Sequence, residues 1–140
     1  MTGFVPFSNL SRLTSFGLSP KPVIKGDLLM ARSRNIKPAF FQNEDLVELN
    51  YSTRLLFIGL WCLADREGRL ENRPKKIKMQ LFPADDLDIP KSLLSLGSKN
   101  LVTMYSVGCR DYIQINNFLK HQHPHHKEVP SSIPKQGKTR

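Results

Sequence analysis

The stretch "NYSTRLLFIGLWCLADREG", residues 50–68, decides how this chain is read. Leu55, Leu56, Phe57, Ile58, Leu60, Trp61, Leu63 and Ala64 leave almost no polar face between Arg54 and Asp65. A helix apolar nearly all round belongs at the centre of its domain. Asn50 is placed to cap its start, and Gly68 stands where a C-terminal glycine is expected. The apolar run 55–63 is interrupted by Gly59 and is far too short to span a bilayer. In that setting Trp61 reads as core rather than as a stacking residue.

Working outward, "GRLEN", residues 68–72, is long enough only for a connecting strand. "ENRPKKIKMQLFP", residues 71–83, then reads as a short helix, with Asn72 as N-cap, Pro74 in the first turn and Pro83 as the stop. Ile77 and Leu81 are spaced to face the core. Arg73, Lys75, Lys76 and Lys78 crowd the N-terminal end, where the helix dipole favours acids. The repulsion costs a few tenths of a kcal/mol per charge in the isolated chain, at roughly the scale of dipole and like-charge terms. Cations tolerated at that cost fit a site that meets a polyanion. The bland reading is a solvated face, offset by Glu71.

"FPADDLD", residues 82–88, is a turn, and Asp86 or Asp88 is placed to cap the next helix, "IPKSLLSLGSKN". There Leu93, Leu94 and Gly97 suggest the packed face, with Lys91, Ser92, Ser95, Ser98 and Lys99 on the other positions. That outward face carries no Asn, Gln or Arg for bidentate reading of a base. "LVTMYSVGCRDYIQI", residues 101–115, reads as a hairpin turning at 107–110, with Arg110 at its tip. Before the central helix, "MARSRNIKPAFFQNEDLVELN" opens with a basic arm of Arg32, Arg34 and Lys37, anchored by Phe40 and Phe41. A short helix or turn is expected over residues 44–49.

The ends differ from the middle. Residues 1–29 hold Pro6, Pro20 and Pro22 and little periodicity, and read as a poorly ordered extension. Met30 is then the natural start of the functional unit, 30–120. Residues 121–140 read as a basic, His- and Pro-rich extended tail. The core expected from the pattern is Leu56, Leu60, Trp61, Leu63, Ile77, Leu81, Leu94 and Ile113.

The order helix, short strand, helix, helix, hairpin is that of a winged helix-turn-helix: an α+β fold with three main helices and a C-terminal hairpin wing. The formal net charge is +9 and the pI about 9.8 over 140 residues. Such a balance points to polyanionic partners, nucleic acid before membrane. The cations that would meet DNA are Arg32, Arg34 and Lys37 on the arm, where the two arginines would reach a minor groove. With them go Arg73, Lys75, Lys76 and Lys78; Lys91, Ser92, Ser95 and Lys99; Arg110 on the wing; and Lys120 and Lys127 toward the tail.

Other chemistry is poorly supplied. There is no phosphate-binding glycine loop and no nucleophile elbow. Asp85, Asp86 and Asp88 fit turn and capping chemistry better than a metal-dependent nuclease. "HQHPHH" places His121, His123 and His125 on one side of an extended segment, which offers an alternative metal site without a neighbouring Cys or carboxylate cluster. No cofactor is expected. Cys62 and Cys109 do not make a disulfide framework and read as reduced thiols of a cytoplasmic protein.

Four runs together carry a resemblance: "RNIKPAFFQNEDL", "TRLLFIGLWCLADREGRLENRPKKIKMQLFP", "DYIQINNFLKHQHPHHKE" and "PSSIP". They cover about residues 30–134 and resemble the N-terminal DNA-binding domain of phage and prophage replication-organiser proteins, the group related to phage replication protein O. The "GLW-x-LADREGRLE-x-RPK-x-IK" run is its most specific part. The resemblance implies a winged helix that binds duplex DNA, often at a replication origin, in proteins whose C-terminal part recruits a helicase or its loader. Phage or host replication proteins would be its further partners. This sequence stops at Arg140 without such a region, which leaves a DNA-binding module, a remnant or a small regulator. The alternatives are a phage-encoded regulator or protein–protein adaptor acting on a nucleic-acid machine, and a metal-dependent nuclease.

Overall fold

A computed structural model describes residues 32–137. The N-terminal extension 1–29 and the start at Met30 lie outside the described residues. Among those described, the chain is an α+β fold of six helices and three strands. Two short helices, α1 (Ala39–Gln42) and α2 (Glu44–Val47), precede the long α3 (Tyr51–Leu63). Strand β1 (Arg69–Glu71) follows, then α4 (Pro74–Leu81) and α5 (Ile89–Ser98). The hairpin β2 (Val102–Val107) and β3 (Arg110–Ile115) leads into one last turn of helix, α6 (Phe118–His121).

Local chemistry sets most of these ends. Asn50 Oδ1 accepts from Thr53 N at 2.8 Å and starts α3. Asn43 caps α2 in the same way, accepting from Asp45 N and Leu46 N. Asp88, one of the two caps the sequence offered, accepts from Lys91 N at the head of α5. Helix α3 ends at Leu63, so Gly68 is not its C-terminal glycine. It closes a separate turn instead, donating its N–H to Asp65 O at φ 80°, where a side chain would be strained. Asn72 is not the cap of α4: Arg73 occupies that position, no side chain bonds there, and Asn72 Oδ1 is buried without a partner.

The sheet has the order β1-β3-β2, all antiparallel. The strand at 69–71 is thus more than a connector: Leu70 lies opposite Ile113, and Arg69 opposite Gln114. A two-residue turn at Gly108 and Cys109 joins β2 to β3. One face of the sheet points inward through Leu70, Val102, Ile113 and Ile115 and meets Leu56, Leu60, Ile77, Ile89, Leu93 and Leu96. Burying each such side chain stabilises the fold by about 1.5–3 kcal/mol. Trp61 is buried, with Phe40 and Phe57 edge-on to its ring at 5.6 and 5.3 Å.

Two assignments on α5 are corrected. Leu94 is 65% exposed, and the packed face is Ile89, Ser92, Leu93 and Leu96. The sequence offers three leucines within four residues, and only the rotation of the helix about its axis selects Leu93 and Leu96. Ser92 turns inward with them, so it leaves the outward set.

The opposite face of the sheet carries Arg69, Tyr112 and Tyr105, all buried. The tail covers it. Residues 122–134 hold no helix or strand, turn at 126–128 where Glu128 N donates to His125 O, and pack against the domain. Tyr105 donates its hydroxyl to Pro134 O at 2.7 Å, and Arg69 Nη1 donates to Ile133 O at 3.1 Å. Contacts therefore cross the boundary drawn at residue 120.

Candidate functional site

The basic residues fall into two groups. The first comes from the arm. Arg32 and Arg34 turn back onto the C-terminal end of α3. Arg34 Nε donates to Trp61 O at 2.9 Å and Nη2 to Ala64 O at 3.3 Å. Its fork grips Glu128 at 2.8 and 2.9 Å, and its side chain is 2% exposed. Arg32 Nη1 donates to Leu63 O at 3.1 Å. Burial, with Arg34 beside it, pulls the Arg32 guanidinium below its ordinary pKa. Both arginines are spent inside the fold, so the reading of a free minor-groove arm is corrected. The backbone supports the same closure: Asn35 N–H donates to Gln122 Oε1, and Gln122 Nε2 donates back to Asn35 O, each at 2.8 Å.

Glu128, the one acidic residue of the segment 121–140, makes this possible. The Arg34 hydrogen bond holds its carboxyl below the usual range. Ser131 continues the clasp by donating to Asp65 Oδ2. None of these partners was among the candidate site residues. A lone acid in a basic tail was the available signal.

The second group is the crowded end of α4. Arg73, Lys75 and Lys76 are exposed, and Lys78 is half-buried with its ammonium 3.4 Å from Phe82 O. Among the described residues no ion pair within 4 Å involves these four, Lys91 or Arg110. Pro74 brings no N–H, and no side chain caps the helix, so the first-turn amides of Lys75 and Lys76 lack a side-chain acceptor. The N-terminal ends of α4 and α5 meet here. Arg73, Pro74, Lys75, Lys76 and Lys78 face Leu87, Asp88, Ile89 and Pro90 across an open concavity of about 600 Å³. The helix dipole and four cations act in the same direction there, and both favour an anion.

The remaining candidates are scattered. Lys91 is exposed on the first turn of α5, and Ser95 is half-buried. Lys99 is committed to Glu48, whose hydrogen bond raises its pKa. Arg110 is exposed beside the hairpin turn, and Lys37, Lys120 and Lys127 are exposed elsewhere. The histidines do not converge. His121 and His123 are exposed, and His125 stacks on His126 at 4.3 Å while its Nδ1 accepts from Lys127 N. Among the described residues no three His, Cys, Asp or Glu side chains are placed to share a metal ion. No described helix is long and apolar enough to cross a membrane. Comparison with family models, curated proteins and solved structures finds no match to this chain.

Proposed function

We propose that this chain is a non-catalytic DNA-binding module of winged helix-turn-helix design, serving phage or prophage replication initiation, with duplex DNA as its ligand. In this reading α3 supports the pair α4 and α5, and the β2–β3 hairpin is the wing. The observation that carries it is the mostly exposed cluster of Arg73, Lys75, Lys76 and Lys78, which makes no ion pair among the described residues although Arg32, Arg34 and Arg69, more deeply buried, are paired. Each phosphate met there releases condensed counterions, and several together dominate affinity. The replication role rests on the resemblance of the sequence runs alone.

A second reading, an adaptor for another protein, draws on a different surface. Val47, Tyr51 and Leu55 are exposed along α2 and α3, with Tyr51 at 83%. Phe41 is exposed as well, whereas Phe40 packs on Trp61.

A duplex titration across ionic strength separates the two. The DNA reading expects affinity to fall steeply with salt. Lys75→Glu with Lys76→Glu should weaken binding to every sequence and flatten the salt slope by about 0.9 per lost phosphate contact. The same charge change in the tail, at Lys135 and Lys138, is the control. Equal loss in the control removes α4 as the docking surface. No binding at low salt rejects the DNA reading.

A further inference from the structure

The outward face of α5 mixes a cation, a leucine and two hydroxyls. Lys91, Leu94, Ser95 and Ser98 fall on it at helical spacing. Leu94 is 65% exposed, one turn along from Pro90, which lines the cation-rich concavity. The two hydroxyls have spent their protons inside the helix. Ser95 Oγ donates to Lys91 O at 3.2 Å, and Ser98 Oγ donates to Ser95 O at 2.7 Å. What they keep outward is acceptor capacity. The face thus presents one cation, one apolar group and two acceptors, and no planar fork.

Each base edge in a major groove has its own complement. Guanine shows two acceptors, N7 and O6, and is met best by a donor fork. Thymine shows a C5-methyl group, and adenine shows the N6 amino donor. We propose that α5 reads A·T pairs in the major groove, with Leu94 packed on thymine methyl groups and Ser95 and Ser98 accepting from adenine amino groups. Duplex DNA is the occupant argued for because the adjoining end of α4 is cationic and makes no ion pair among the described residues. The assignment rests on the DNA-binding reading above. It makes Leu94 a specificity-determining residue and leaves phosphate contact to α4.

The test uses the full chain and three labelled duplexes: an A·T-rich one, the same sequence with deoxyuridine replacing every thymidine, and a G·C-rich one. Deoxyuridine removes only the methyl group. The wild type should bind the thymidine duplex roughly fourfold more tightly for each methyl group covered, the factor that one buried methyl contributes. The G·C-rich duplex should bind more weakly still. Leu94→Ala should erase the thymidine preference while leaving the salt slope unchanged, and Leu94→Met should retain it. Leu94 is exposed, so both variants should melt as the wild type does. Equal affinity for the thymidine and deoxyuridine duplexes overturns the proposal and leaves DNA binding standing. A thymidine preference that survives Leu94→Ala overturns it too. No binding to any duplex at low salt overturns the function along with it.

Discussion

Arg34 and Arg73 belong to two basic segments and end in opposite circumstances. Arg34 has its guanidinium shared among Trp61 O, Ala64 O and both oxygens of Glu128. Arg73 is exposed at the head of α4 with no ion pair among the described residues. The difference lies in what arrives from far away in the chain. Glu128 is ninety-four positions from Arg34 and turns a basic arm into a clasp. At α4 the described residues supply no ion pair, and Asp88 only faces the cations across the concavity while capping α5. Positive charge in a sequence is therefore ambiguous until the fold shows which cations have been answered.

The largest test of this contrast is Arg34→Ala. It leaves Glu128 with only the more distant Arg32 and the His125 N–H, and takes the side-chain donor from the Trp61 and Ala64 carbonyls. Breaking a buried pair from one side costs about 3–5 kcal/mol. Urea denaturation should show that loss, whereas Arg73→Ala should change stability by less than about 0.5 kcal/mol. Similar losses from both substitutions would mean that Arg73 is structural as well.

A smaller effect should follow from pH. The Glu128 carboxyl titrates lower in the folded protein than in the unfolded chain, because Arg34 hydrogen-bonds its charged form. The unfolded state then binds more protons across the interval between the two values, so stability rises with pH there. The contribution is complete above the unfolded carboxylate pKa and is lost as pH falls through the folded one. Denaturation curves for Glu128→Gln should be flatter than those of the wild type across that acidic window. Parallel curves would show that the clasp holds without the charge.

The smallest effect concerns the unanswered cations. Lys75→Glu with Lys76→Glu puts acids in the first turn of α4, where the dipole favours them. Thermal melts at low salt should gain about 0.3–1 kcal/mol per site. A loss instead would identify a structural role for one of the lysines and would move that residue into the same class as Arg34.

Much of the frame was legible because short-range chemistry decides it. The α3 helix announced itself through its apolar residues and Asn50, and α5 through Asp88. The hairpin followed from its β-branched and aromatic strands around Gly108. The cluster on α4 was legible too, since its residues are close together in sequence and three of the four are exposed. Asn72 misled because the residue type suits a cap, yet Arg73 took the position and left the Asn72 amide oxygen buried. Leu94 misled because α5 offers three leucines in four residues and the pattern alone does not choose among them.

The sequence by itself determined the elements, their order and the surplus of positive charge, for these depend on neighbours within a turn or two. Only the tertiary structure decided which leucines of α5 face the sheet. It alone paired β1 with β3 and laid the tail over Tyr105 and Arg69. It alone brought Glu128 to Arg34. The physical reason is that burial and ion pairing act through space: a cation's role is set by the groups packed around it, and those come from segments whose separation along the chain carries no record of their contact.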